Sequence, residues 1–120
     1  MRNKIILVDD DFTLCELGKE MFEILDIECF TAMSMDEAIA IWNEHHTDIG
    51  LGIFDLNLEG CTGIDVYQAL CEVDKDFHAV IASGAFLESD ADEYRAMGFK
   101  EIISKPYNLA TLQNLIKKYL

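Results

Sequence analysis

Ile49-Gly50-Leu51-Gly52-Ile53-Phe54-Asp55 is the stretch whose reading decides the fold. The apolar run from Ile49 to Phe54 reads as a strand buried on both faces, and it ends abruptly in a carboxylate. Asp55 therefore stands at the C-terminal edge of a strand. In open parallel sheets that edge is where ligands bind, so an acid placed there is positioned for chemistry rather than packing.

Outward from this strand, the same grammar repeats. Lys4 to Val8 is a short β-branched run ending in Asp9, Asp10 and Asp11, and the next stretch places Leu14, Leu17, Gly18, Met21, Phe22 and Leu25 on one helical face. Ile27 to Thr31 reads as a second strand, and Ser34 or Asp36 caps a helix carrying Ala38, Ile41 and Trp42. Beyond Asp55, Gly60 and Gly63 mark a loop, and Ile64, Tyr67, Leu70 and Cys71 line a third helix. His78 to Ala82 is a fourth strand ended by Ser83 and Gly84. Leu87 to Met97 is a helix with few large apolar residues, stopped by Gly98. Glu101 to Ser104 is a fifth strand, followed by Lys105, Pro106 and a helix carrying Leu109, Leu112, Leu115, Ile116 and Tyr119.

Strands alternating with helices across short loops predict an α/β fold, a single doubly wound five-stranded parallel sheet covered on both faces. Strands one, three, four and five end in Asp9 with Asp10, Asp55, Ser83 and Lys105, whereas strand two ends at Thr31 with nothing charged. Strand order 2-1-3-4-5, the flavodoxin-like arrangement, puts the uncharged strand at the edge and brings strands one and three together at the switch point.

Composition bounds the function classes. The chain has 120 residues, 51% of them hydrophobic, enough for one domain over residues 1–120 with its own core. Lys and Arg number 9 against 23 Asp and Glu, a net charge of −14, so phosphate backbones are repelled and direct nucleic-acid binding by this chain is not expected. Cys15, Cys29, Cys61 and Cys71 form no C-x-x-C pattern and read as reduced, mostly buried thiols. Neither a signal peptide nor a membrane-spanning helix fits, so a cytoplasmic protein is expected.

Carboxylates gathered from two adjacent strands repel one another, by roughly 4 kcal/mol per pair at about 4 Å and an effective dielectric of about 20, so Asp9, Asp10 and Asp55 call for a cation. Oxygen-only ligands with open positions suit Mg²⁺. Asp9 and Asp10 would hold the metal, and Asp55 would share it and remain available as a nucleophile. Ser83 and Lys105 would then contact the oxygens of an incoming phosphoryl group, and the product would be an aspartyl phosphate. A lone strand-end acid or lysine is usually a solvated loop residue; four strand ends in one arrangement are not accounted for that way.

In chain order the motifs are Leu7-Val8-Asp9-Asp10, Phe54-Asp55-Leu56-Asn57, Ser83-Gly84 and Lys105-Pro106, and over its whole length the chain resembles a response-regulator receiver domain of two-component signalling. The resemblance implies that Asp9 and Asp10 are the Mg²⁺-binding pair, Asp55 the phosphoacceptor, Asn57 a contributor of its backbone carbonyl to the metal, Ser83 the switch hydroxyl and Lys105 the phosphate partner. It also implies a cis bond between Lys105 and Pro106, a histidine kinase or phosphotransfer protein as donor, and an output surface on the fourth helix, fifth strand and fifth helix. That surface would meet an output protein or a C-terminal effector domain, and a phosphorylation-dependent homodimer is compatible with it. Four positions, in three places, depart from the family pattern. Leu58-Glu59 replaces the usual Met-Pro, which predicts a more mobile loop with an extra negative charge; Thr62 precedes Gly63 where an acid is common; and Ile102 occupies the aromatic switch position, although Tyr107 matches a common aromatic after the proline.

Competing readings are a small Mg²⁺-dependent phosphohydrolase with Asp55 as nucleophile, a flavin-binding electron carrier on the same fold, and a degenerate receiver acting by binding alone. The first lacks a second acid at Asn57. The second lacks a Gly/Ser/Thr-rich phosphate loop after strand one. His45 and His46 read as solvated residues at a helix end, and Asp11 as an exposed loop acid.

Overall fold

The computed structural model describes residues 2–84 and 91–120. Its elements run β1 Lys4–Val8, α1 Phe12–Ile24, β2 Cys29–Ala32, α2 Met35–His45, β3 Ile49–Asp55, α3 Gly63–Val73, β4 His78–Ser83, α4 Ala91–Met97, β5 Phe99–Ser104 and α5 Leu109–Tyr119. These five strands form one sheet in the order β2-β1-β3-β4-β5, every neighbouring pair parallel. Two further short strands, Asn57–Leu58 and Cys61–Thr62, pair antiparallel as a separate hairpin.

The parallel arrangement follows from burial on both faces. All of β3 is buried, and in β1 successive residues enter opposite layers. Ile5 and Leu7 pack with Phe22, Ile53, Val80, Leu112 and Leu115 on the side covered by α1 and α5. Ile6 and Val8 pack with Trp42, Phe54, Val66, Leu70 and Ile81 on the side of α2 and α3. Each fully buried aliphatic side chain of this kind contributes about 2 kcal/mol of transfer free energy.

The helices start where short polar side chains cap them. Asp11 accepts from the amides of Thr13 and Leu14, so it is the N-cap of α1 rather than an idle loop acid. Ser34 caps α2, Thr62 and Asp65 form a reciprocal capping box on α3, and Asn108 caps α5. Gly98 ends α4 at φ +114, and a Cβ there would run into the Tyr67 hydroxyl.

The differences from the sequence reading are local. β5 begins at Phe99, two residues before the expected Glu101, because Phe99 is buried beneath Tyr67 and Phe54. Val66 and Cys15 belong to the buried helix faces, while Leu109, counted among the apolar positions of the last helix, is exposed. Of the four thiols only Cys15 and Cys29 are buried, and none forms a disulfide. The expected helix from Leu87 is present as α4 from Ala91, the preceding residues lying outside the described set.

Candidate functional site

The carboxyl ends of β1, β3, β4 and β5 converge, and each delivers a polar side chain at the point where its apolar run stops. Asp9 follows β1 and is fully buried, Asp55 ends β3 at 4% exposure, and Ser83 ends β4 at 5%. Lys105 follows β5, its amide donating to the Ser83 carbonyl at 3.0 Å, which pins it beside β4; the Lys105-Pro106 bond is cis. Switching from β2-β1 on one side to β3-β4-β5 on the other opens the crevice between β1 and β3 into which Asp9 and Asp55 project.

The charges are arranged around one ammonium group. Lys105 Nζ lies 3.0 Å from Asp9 Oδ2 and 3.1 Å from Asp55 Oδ1, with only 16% of the lysine side chain exposed. Asp10, by contrast, is exposed, and its oxygen Oδ2 accepts the main-chain N–H of Glu59 at 3.0 Å. One oxygen from each of Asp9, Asp10 and Asp55 falls within a span of 4.8 Å. This is an oxygen-only donor set with one side open, the chemistry that suits a small hard cation keeping several of its waters.

Burial sets the electrostatics. It pushes the Asp55 carboxyl above the ordinary carboxylate value, the hydrogen bond from Lys105 works against the rise, and the Asp9 charge adds to it. Burial alone would lower Lys105, but its hydrogen bonds to Asp9 and Asp55 outweigh that and raise it, so the lysine stays charged. Three carboxylates and one ammonium leave the cluster with an excess of negative charge, and burial disfavours the ionised form of Asp55.

The remaining candidates are placed as follows. Asn57 is exposed at the first position of the hairpin, paired with Thr62. The loop for which more mobility is expected from Leu58-Glu59 is tied together by this hairpin, whose turn uses Gly60 at φ +83. Ile102 is half-buried against the α2/α3 layer and lines a groove of about 450 Å³ with Tyr94, Arg95 and Phe99. Tyr107 is buried at 4% exposure on the α1/α5 side, its hydroxyl without a hydrogen-bond partner among the described residues. Cys15, read from the sequence as a reduced buried thiol, is one, and it donates to the Asp9 carbonyl at 3.2 Å; burial pushes the thiol up to about 12, so it packs rather than reacts.

At the opposite end of the sheet the structure holds a second charged group, which the sequence reading missed. Asp74 accepts from Arg2 and from His46 Nδ1, both at 2.6 Å, so His46 is not a solvated helix end. His45 stacks on Phe30 with ring centroids 4.4 Å apart.

Comparison with known proteins gives concordant matches. A family model described as response regulator receiver domain matches residues 5–117. Sporulation initiation phosphotransferase F of Bacillus subtilis is 26% identical over 121 residues, covering 100% of this chain and 95% of its own length. The polar-differentiation response regulator DivK of Brucella ovis is 30% identical over 122 residues, covering 100% of this chain and 98% of its own. Among solved structures, a response regulator receiver domain protein from Clostridium thermocellum superposes with a TM-score of 0.86 at 25% identity, covering 96% of this chain and 91% of the other.

Proposed function

Since the chain belongs to the response regulator receiver domain family, we propose that residues 1–120 act as one receiver domain that accepts a phosphoryl group on Asp55 from a phosphohistidine of a histidine kinase or phosphotransfer protein. The single observation that carries this reading is the Lys105 ammonium bridging Asp9 and Asp55 beside Asp10, at the carboxyl edge of the sheet.

In the transfer, an Asp55 carboxylate oxygen attacks phosphorus, the P–N bond to the donor imidazole breaks, and a P–O bond to Asp55 forms. The displaced imidazole takes up a proton. Asp55 is suited to attack because burial disfavours its charge, and phosphorylation moves that charge outward onto the phosphoryl oxygens. Lys105 is positioned to follow it, giving up Asp55 as a partner and pairing with a phosphoryl oxygen. Ser83, at the end of β4 and tied to Lys105 through its carbonyl, is the hydroxyl nearest in register to receive another. Asp9, Asp10, Asp55 and the Asn57 carbonyl would hold Mg²⁺, which would supply charge neutralisation at the phosphoryl oxygens.

The output surface proposed is α4, β5 and α5. α4 presents no buried residue, so its hold on the sheet is weak, and Ile102 sits under it where a change at Ser83 and Lys105 is transmitted along β4 and β5. The partner would be an output protein or an effector domain. A cytoplasmic setting fits the free thiols and the fact that no helix among the described residues is long and apolar enough to cross a membrane.

The test is intact mass after incubation with a small acyl phosphate and Mg²⁺. One added phosphate is expected, not formed when the metal is chelated during the incubation and absent from Asp55→Asn. A folded natural chain that gains no phosphate under these conditions would leave a degenerate receiver that works by binding alone.

A further inference from the structure

Two of the three clustered carboxylates share Lys105, but the third does not. Among the described residues Asp10 has no cationic partner, and its hydrogen bond comes from the main chain of Glu59, 49 residues away in sequence. That donor is held by a rigid piece of chain. The Leu56 amide donates to the Ala82 carbonyl and Gly63 N–H to the Leu56 carbonyl, at 3.1 and 3.3 Å. Gly63 also lies so close to the Asp55 carbonyl that a Cβ would collide with it. Between these anchors Asn57 pairs with Thr62 and Leu58 with Cys61, so Glu59 and Gly60 form a tight two-residue turn. The turn's tip therefore has a fixed position relative to Asp55.

We infer that the Glu59 amide is a positioning group for the metal site, holding the exposed Asp10 carboxylate toward Asp9 and Asp55. An exposed aspartate otherwise samples several rotamers, and ordering it on metal binding costs conformational entropy. A carboxylate has two oxygens and about four lone-pair sites, so one bond to an amide leaves room for a metal ligand. Asp9 is ordered by burial and by Lys105; Asp10 is ordered by the turn. The turn thus contributes to the site through a backbone atom, and only a residue other than proline at position 59 can supply it.

This inference rests on the reading of Asp9, Asp10 and Asp55 as a Mg²⁺ site. The experiment uses two substitutions at the same position. Glu59→Ala removes the side-chain charge and keeps the N–H. Glu59→Pro removes both, and proline is well accommodated before the positive-φ Gly60, since this is the first central position of a turn that takes glycine second. Mg²⁺ affinity is measured by calorimetry on the natural chain and both variants, with thermal unfolding of the metal-free proteins alongside. Glu59→Pro is expected to bind Mg²⁺ about 10-fold more weakly than Glu59→Ala, with metal-free melting temperatures that agree. Equal affinities in the two variants would overturn the inference while leaving the phosphoacceptor reading intact. So would a lower affinity that is matched by a lower metal-free melting temperature, since a structural role alone would then account for it. A natural chain that does not bind Mg²⁺ at all would overturn both, and labelling of Asp55 by acyl phosphate, run in parallel, separates those cases.

Discussion

The two ends of the sheet solve the same problem in opposite ways. At the amino end Asp74 accepts from Arg2, from His46 and from the Asp76 amide, and although burial works against it these partners hold its carboxyl down at about 2. At the carboxyl end Asp55 shares one lysine with Asp9, and burial pushes its carboxyl up. Both acids sit at the end of an element, and both have a cation within about 3 Å of an oxygen, by the distances 2.6 Å and 3.1 Å. The difference is the ratio of donors to carboxylates. A surplus of donors makes an acid structural; a shortage makes it reactive, because its unmet demand is available to a metal and a phosphoryl group.

The largest expected effect tests the amino end. Asp74→Ala strands Arg2 and His46 together and is expected to lower unfolding free energy by about 2 kcal/mol, less than for a fully buried pair because Arg2 remains partly exposed. The pH dependence has a defined sign. Since the folded-state value is depressed from 3.8 to about 2, the contribution is complete above the unfolded-state value and is lost as pH falls through the folded one. Asp74→Asn should therefore flatten the acid limb of stability, read by urea unfolding between those two values; an unchanged limb would break the contrast between the ends.

At the carboxyl end the sign reverses. Asp55→Asn, measured without Mg²⁺, is expected to stabilise the fold by about 1 kcal/mol, because it removes a buried charge that burial and Asp9 disfavour. Destabilisation instead would mean that Lys105 needs both carboxylates and that the site is as satisfied as the far end. The smallest effect refines the rule about donors. Asp76 lies 4.0 Å from Arg2 Nε with 90% of its side chain exposed, so Asp76→Ala should change stability by less than about 0.5 kcal/mol. Proximity to an arginine would then be shown to matter only where water is excluded.

The sequence carries these two ends unequally. Asp9, Asp55, Ser83 and Lys105 each interrupt an apolar strand, and such interruptions stand out because a polar residue at that point has no packing reason to be there. The five-stranded order was legible from the same residues, since of the common orders it is the one that leaves the strand with no charged end at the edge and brings strands one and three together. The Arg2, His46 and Asp74 group left no comparable mark: its members are ordinary surface types, brought together across 72 residues by strand and helix ends that periodicity locates only loosely. The Glu59 amide left only an indirect mark, the replacement of the usual Met-Pro by Leu58-Glu59, which reads as mobility and charge rather than as a donor. Every residue except proline has an N–H, so a backbone donor announces itself only as the absence of proline before a glycine. The start of β5 at Phe99 was hidden by Gly98, which signals the end of a helix without saying how soon the next strand begins.

Trp42 gives the molecule an internal lamp with a restricted view. It is the single tryptophan of the chain, fully buried, with its ring 4.5 Å from Phe77 and 6.0 Å from His46. Its neighbours thus belong to the amino end, on the layer away from α1 and α5. Its emission should be blue while the core is dry and shift red when water enters, so fluorescence follows unfolding and the state of the Asp74 corner. Events at Asp55 would leave that colour unchanged, and an optical readout of them requires a second fluorophore introduced near β5.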